Sequence, residues 1–284
     1  MICNNKVTSN YHYIDEYYSY TGKDIYEKPI IISIEGNIGV GKSTLLSKIK
    51  ELSLKNNYDI NCLFEPVKEW EDVRDPITND NMITKYYLDP EKYAFPFQIM
   101  AYSTQVNQLL QAVSDLNASK IILTERSLES NHEVFTKMLY NNNLMEDTLY
   151  QIYKMNADTH KISYNDSPNL NTDAYIYLKS SPETCLERIH KRDRTGETKI
   201  TLDYLKNCHE YHEKWLNKIS PHRCYVLDMD NPINEDDIKR LIDFMNGVYT
   251  NITMCPPNSP ESFSLPPLPK TMTYPENEAI ITSK

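Results

Sequence analysis

Five short apolar runs alternate with longer stretches of helical spacing along this chain. Ile30 to Ile34 is rich in β-branched residues and is stopped by Gly36, which predicts a fully buried strand. DINCLF at 59–64, KIILT at 120–124, DAYIYL at 173–178 and RCYVL at 223–227 predict four more. Between them, Leu45, Ile49 and Leu52 mark a first helix, and Val106, Leu109, Leu110 and Val113 stripe a long one spanning Ala94 to Leu116. Residues 77–90 read as partly helical, with Asp89-Pro90 a break, and helical material follows the third strand as far as His160. Ser181, Pro182 and Glu183 are N-terminal signals for a helix after the fourth strand. Leu202 to Ile219 is amphipathic and is followed by Pro221, while Asn234 caps a last helix whose face is Ile238, Leu241, Ile242 and Met245. Strands alternating with helices imply an α/β fold with a mainly parallel sheet covered on both faces.

This pattern divides the chain into a polar, Tyr- and Asn-rich arm at 1–28, a domain at 29–250 and a Pro-rich tail at 251–284 that reads as disordered or extended. The 284 residues are 40% hydrophobic, enough for a core, and repeat no internal unit. A net charge of −10 argues against a nucleic-acid backbone as ligand and for a small phosphate compound. No run approaches a membrane span, and the start of the chain lacks the features of a transit or secretory signal, so the expected compartment is the cytosol. Six scattered cysteines without a C-x-x-C pair read as reduced thiols.

Chemistry concentrates first at residues 36–44, GNIGVGKST, which fit the G-x-x-x-x-G-K-[ST] phosphate-binding pattern between a strand and a helix. Gly36, Gly39 and Gly41 allow the amides of Asn37, Ile38, Val40 and their neighbours to approach a phosphate chain, and the helix N-terminus at Thr44 points at the same anion. Lys42 supplies charge near the β and γ phosphates and Ser43 a hydroxyl for Mg²⁺. Glu65, before Pro66, falls at the carboxyl edge of the sheet, where ligands bind, although an isolated Glu-Pro is more often a solvated loop. Trp70 reads as a substrate-binding candidate or simply as a packing anchor. Phe95, Phe97 and Gln98 are able to form a slot for a nucleobase or to be core aromatics beside an exposed amide, and composition favours the latter. Glu125, Arg126 and Ser127 are delivered to the same edge, with Glu125 placed to hold a metal ion or its water shell. Arg188, Lys191, Arg192 and Arg194 form either a solvated face or a mobile lid that closes over a nucleotide. His209 and His212 lack a third ligand that would make them a metal site.

Taken together, GNIGVGKST, EPVKEW at 65–70, Tyr87 eleven residues before Gln98, FQ at 97–98, ERS at 125–127 and R-x-x-x-R-x-R-x-x-E from Arg188 to Glu197 resemble the deoxynucleoside kinase family over roughly residues 30–245. The resemblance implies a P-loop-type five-stranded parallel sheet in the order 2-3-1-4-5, a helical arginine lid, a homodimer, and ATP with Mg²⁺ phosphorylating the 5′-hydroxyl of a deoxynucleoside. It also implies roles: Glu65 as general base with Arg126 as its partner, Ser43 and Glu125 at the metal, and Tyr87 with Glu197 on the sugar 3′-hydroxyl. Gln98 would read the base edge, and Arg188, Arg192 and Arg194 would form the lid. The chain departs from the family's deoxycytidine- and deoxyguanosine-preferring members, which carry an Arg and an Asp where Gln105 and Asn131 stand, and the base preference stays open. A sugar hydroxyl needs a carboxylate to take its proton, whereas an anionic acceptor phosphate would be repelled by one. That favours a nucleoside kinase over the alternative, a thymidylate-like monophosphate kinase. A third alternative is a catalytically silent structural subunit, against which the presence of Lys42, Glu65, Glu125 and the lid arginines weighs.

Overall fold

The computed structural model describes residues 29–115, 117–161, 169–192, 194 and 197–254. The expected arm at 1–28 and the tail from 255 onward lie outside the described residues. Strands β1 (Ile30–Gly36), β2 (Ile60–Leu63), β3 (Ile121–Glu125), β4 (Ala174–Lys179) and β5 (Cys224–Asp228) form one sheet in the order β2-β3-β1-β4-β5. Every neighbouring pair is parallel. The connections carry α1 (Lys42–Asn56), α2 (Val67–Asp72), α3 (Met82–Leu88), α4 (Pro90–Val113), α5 (Leu128–Ser130), α6 (Lys137–Asn141), α7 (Asp147–Lys161), α8 (Pro182–Arg192), α9 (Leu202–Leu216) and α10 (Glu235–Met254). A π-helical turn, Asn131–Thr136, joins α5 to α6, and a 3₁₀ turn, Glu197–Lys199, precedes α9.

Side-chain alternation on β1 explains how the layers divide. Ile30, Ile32 and Ile34 pack among Leu45, Leu46 and Ile49 of α1 and Leu241, Ile242 and Met245 of α10. Ile31 faces the other way, toward Tyr102, Val106 and Leu109 of α4 and Tyr153 and Ala157 of α7. Ser33 and Glu35 follow Ile31 on that second face, and both are fully buried. A carboxylate inside the sheet is tolerable only with partners: Ser33 and Ser127 both donate hydroxyls to Glu35 Oε1, at 2.7 and 2.5 Å.

The predicted strands are all present, but their limits differ in one systematic way. β1, β3, β4 and β5 each run one or two residues further toward their carboxyl ends than the apolar runs, through Gly36, Glu125, Lys179 and Asp228. Polar residues end an apolar run without ending a ladder when the strand on the other side keeps pairing, as Ile34 does with Glu125 and Gly36 with Leu178. Asp89-Pro90 separates α3 from α4 as expected, yet it also starts α4 four residues earlier than the apolar stripe indicated. Pro90 occupies the first turn, and the Asp89 carboxylate accepts from the Lys92 amide. The helix predicted to reach Ile219 ends at Leu216, with Ile219 packed beside Trp215 in a tighter turn.

Gly36 is where the sheet and the glycine-rich loop meet. Its φ of +139° is open to glycine alone, and a Cβ there would lie 2.4 Å from the Leu178 carbonyl oxygen on β4. Gly36→Ala is therefore expected to destabilise the domain by about 3 kcal/mol through strain and overpacking. The corresponding fall in Tm is roughly 6–12 °C. A melting curve that overlays the parent's would show that this junction has room the backbone does not suggest.

Candidate active site

A cleft of about 830 Å³ opens at the carboxyl ends of the strands. This is the position a parallel sheet reserves for ligands, because the strand-to-helix loops converge there. Its floor is the 36–43 loop. Gly39 and Gly41 hold φ of +80° and +111°, which turn the backbone back over the start of α1. The Asn37 side chain braces this shape: Nδ2 donates to the Leu205 carbonyl at 2.9 Å while Oδ1 accepts from the Ile38 amide. Ile38, Val40 and Thr44 complete the rim. Lys42 is buried and folds its ammonium onto the loop's own carbonyls, Gly36 at 3.2 Å and Asn37 at 3.0 Å. Burial, and then the nearby Arg126, lower its pKa to about 8. Ser43 donates its hydroxyl to Glu125 Oε1 at 2.7 Å, so these two oxygens stand together at the end of β3.

Arg126 lies opposite the loop and organises the acidic groups. Its φ of +67° is uncommon for a residue with a side chain. The turn is locked because Ser127 Oγ, while donating to Glu35, accepts from the Ser130 amide. The guanidinium then meets Glu65 through Nε at 2.8 Å, donates to the Gly36 carbonyl at 3.1 Å and lies 4.5 Å over the Phe135 ring. Glu65 keeps only 17% of its side chain exposed. Desolvation raises its pKa in spite of Arg126 and Lys42. Glu35, deeper still, is pushed up to about 7 by burial.

The four cations of the α8 region line the cleft as well, but they are not equivalent. Arg188 is engaged with backbone, donating to Val40 at 3.2 Å and Met229 at 2.7 Å. Arg192 and Arg194 converge on the buried carboxylate of Glu197, at 2.5 and 3.4 Å. Tyr87, on α3, lines the same cleft. Burial, followed by Tyr86 and Glu197, drives its hydroxyl pKa well up.

The remaining wall is aromatic and amide-lined. Phe97 stacks on Tyr86 at 4.7 Å and meets Trp70 edge-on at 5.6 Å. Trp70 is fixed by an indole hydrogen bond to Thr104 at 2.9 Å, and so is both packing anchor and cleft wall. Gln98, Gln105 and Asn131 are all buried along this wall. Phe95 does not join them: it packs into the helical layer with Leu139 and Tyr102, so the expected pairing of Phe95 with Phe97 around a slot is not formed, and Phe97 instead packs against Trp70 and Tyr86. His212 is a core residue whose Nδ1 lies 2.7 Å from the Cys208 carbonyl and whose ring stacks against Tyr177.

Thus loop residues 38–44, Glu65, Glu125, Arg126, Tyr87, Gln98 and Glu197, which lie far apart in sequence, share one cleft, while Gly36, Asn37 and Ser127 support it from behind. Residues 32–251 match the family model for deoxynucleoside kinases. The chain belongs to the deoxynucleoside kinase family. It is similar to the fowlpox virus protein named "Probable deoxycytidine kinase", with 32% identity over 78% of this chain and 88% of that one. Human deoxycytidine kinase is 34% identical over 65% of this chain and 74% of its own length. Deoxycytidine kinase 2 of Gallus gallus is 30% identical over 78% and 90%. As a member of this family the protein is a deoxynucleoside kinase, a phosphotransferase.

Reading residue types alone passed over two parts of this kinase cleft, the Phe135 ring under Arg126 and Lys48 on α1, and Glu35, which is buried behind it and bonds to Ser127. Glu35 had a legible signal, a charge inside an apolar strand directly before the first glycine of the loop. The lowered pKa of Lys42 has a direct consequence. In the free enzyme its charge is lost as pH rises through about 8, so kcat/KM for the phosphoryl donor should fall above that pH. Lys42→Arg, which does not titrate in this range, should flatten that limb at a lower absolute rate. An alkaline limb that persists in the arginine variant would assign it to another group.

Proposed function

We propose that the protein transfers the γ-phosphoryl group of ATP to the 5′-hydroxyl of a deoxyribonucleoside, giving the 5′-monophosphate and ADP for nucleotide salvage. The observation that carries this reading is Glu65: a recessed carboxylate of raised pKa in the same cleft as the phosphate loop, with Oε1 engaged by Arg126. That leaves Oε2 to accept the proton of the attacking hydroxyl. The bond from the 5′-oxygen to the γ-phosphorus forms as the bond to the β,γ-bridging oxygen breaks, and ADP leaves with its electron pair. Lys42 and the loop amides hold the β and γ phosphates. Arg192 and Arg194, released in part from Glu197, neutralise charge on the group in flight, while Arg188 keeps the loop seated from behind. Tyr87 and Glu197 then bind the sugar 3′-hydroxyl, Gln98 meets the base edge, and Phe97 and Trp70 flank the base.

The oxygen pair Ser43 and Glu125 fits Mg²⁺, which takes few protein ligands and fills its remaining positions from phosphate and water. Bound there with ATP, Mg²⁺ supplies charge neutralisation at the phosphate oxygens. The reading also includes a homodimer formed through the long helices. Ile152 and Met155 on α7, one turn apart, are 45% and 72% exposed and give that face apolar material. The cytosol is the compartment of this reading, and Cys62, Cys185, Cys208 and Cys224 are free thiols, as a reducing environment keeps them. No described helix is long and apolar enough to cross a membrane.

Glu65→Gln keeps the shape and one acceptor but cannot take a proton. Turnover with the best deoxynucleoside should fall by about 10²–10⁴, with ATP affinity by titration changed only a few-fold. Turnover within a few-fold of the parent would remove Glu65 from the chemistry, and ADP formation from monophosphates but not nucleosides would replace the acceptor. For assembly, light scattering should give twice the 33.2 kDa chain mass, and Met155→Asp should give the monomer. A parent protein that is monomeric at micromolar concentration overturns the dimer.

A further inference from the structure

Three hydrogen bonds from the end of β1 hold the turn that carries Arg126. The Ile34 carbonyl accepts from the Arg126 amide at 3.0 Å, and the Gly36 carbonyl accepts from Arg126 Nη1 at 3.1 Å. Between them, Glu35 Oε1 accepts from the Ser127 hydroxyl at 2.5 Å. Only this last contact is made by a side chain of β1, so the residue type at position 35 decides whether it exists. Arg126 itself sits at φ +67°, a conformation unfavourable for a residue with a side chain by about 1–3 kcal/mol unless its surroundings hold it.

Ser127 joins Glu35 to the turn. With its proton given to Glu35, the Ser127 oxygen accepts from the Ser130 amide at 3.0 Å, while Ser130 Oγ accepts from the Ser127 amide at 3.2 Å. That reciprocal cap fixes the backbone directly after Arg126. Glu35 Oε1 also accepts from Ser33 at 2.7 Å, whereas Oε2 is buried and makes no hydrogen bond among the described residues. An unpaired buried oxygen is unfavourable by roughly 1–3 kcal/mol. Ile31, on the same face of β1, packs among apolar residues of α4 and α7 without that penalty. The carboxyl at position 35 is therefore accounted for by the hydroxyls it holds, and not by packing.

We propose that Glu35 is a positioning residue for phosphoryl transfer: by holding the Ser127 hydroxyl it fixes the turn that aims the Arg126 guanidinium at Glu65. The inference rests on the reading of Glu65 as the proton acceptor and adds the residue that acts on it from behind. Arg126 Nε meets Glu65 Oε1 at 2.8 Å, so a shift of the turn moves the proton-accepting carboxylate with it. A misplacement of about 1 Å at such a group is enough to lower turnover by about 10². The Ser127 contact needs an acceptor oxygen and not a charge. Burial pushes the Glu35 pKa up to about 7, and its carboxyl accepts at Oε1 whether or not Oε2 carries a proton. A carboxamide at the same position offers the same acceptor, and a thioether does not.

The test compares Glu35→Met, Glu35→Gln and Ser127→Ala in the full chain, with kcat for the best deoxynucleoside, ATP affinity by titration, and a melting curve to establish that each variant is folded. Glu35→Met and Ser127→Ala should each lower kcat by about tenfold or more with ATP affinity changed only a few-fold, while Glu35→Gln should stay within about threefold of the parent. Placed on top of Glu65→Gln, Ser127→Ala should lower kcat by less than about threefold, because a residue that acts through Glu65 then has nothing left to position. Should Glu35→Met not fold, Ser127→Ala and its double variant decide alone. Equal losses with and without Glu65, a folded Ser127→Ala that keeps the parent's kcat, or a Glu35→Gln as impaired as Ser127→Ala overturns the proposal and leaves Glu65 in its role. A parent inactive toward every deoxynucleoside, or a Glu65→Gln variant as fast as the parent, overturns the reading beneath it and the proposal together.

Discussion

Charge held out of water at the end of a parallel sheet is the constraint around which this structure is arranged. Lys42, Glu35, Glu65, Glu125 and Arg126 all sit at or behind the strand ends with little access to solvent. Alone, each would be neutralised or expelled, since desolvation of an isolated ion is prohibitive. Together they compensate: Arg126 remains charged because Glu65, Glu35 and Glu125 offset its burial, and Lys42 is held by two backbone carbonyls as well as by the field of the acids. Removing one member of a buried pair such as Arg126–Glu65 typically destabilises by about 3–5 kcal/mol, so the cluster is both site and structural keystone. Its arrangement resembles a preorganised solvent for the transferring phosphoryl group, fixed before substrate arrives.

That preorganisation depends on backbone conformations that few residues adopt. Three glycines with positive φ shape the loop, and Arg126, at φ +67°, does the same with a side chain attached. The Arg126 turn persists because Glu35 draws the Ser127 hydroxyl inward while the same oxygen caps α5. Glu35 thus acts through Ser127 on the direction of the Arg126 guanidinium, and through it on Glu65. A single carboxylate buried in β1 thus links the sheet interior to Glu65, the carboxylate proposed to take the proton.

Much of this was legible from residue order, and what was not has identifiable causes. The strands announced themselves as apolar runs, and the phosphate loop as a glycine pattern between strand and helix. Strand ends were underestimated because Glu35 and Glu125 look like solvent-facing residues until the hydroxyls that bond to one oxygen of each are known. The start of α4 was hidden by Asp89-Pro90, whose one signal both closes α3 and caps the next helix. Phe95 could not be separated from Phe97 by spacing, since two positions on one helix differ by about 200° in direction and only packing decides which faces the cleft. The distinction among the arginines was likewise invisible: Arg188 braces the loop backbone, while Arg192 and Arg194 share Glu197, and that division depends on Val40, Met229 and Glu197 approaching from distant parts of the chain.

The separation of charged and neutral halves of the cleft follows from the same physics. Phosphoryl transfer develops charge in known places, so fixed ions there gain from being immobile and dry. A nucleobase is neutral, and a fixed ion near its edge would have to be desolvated by every ligand that enters, matched or not. Amides carry no such burden. The part of this cleft proposed to take phosphate is accordingly built from fixed charge, and the wall proposed to meet the base from uncharged side chains. On that wall, Phe97, packed against Tyr86 and Trp70, gives the proposed base site a flat, fixed aromatic surface.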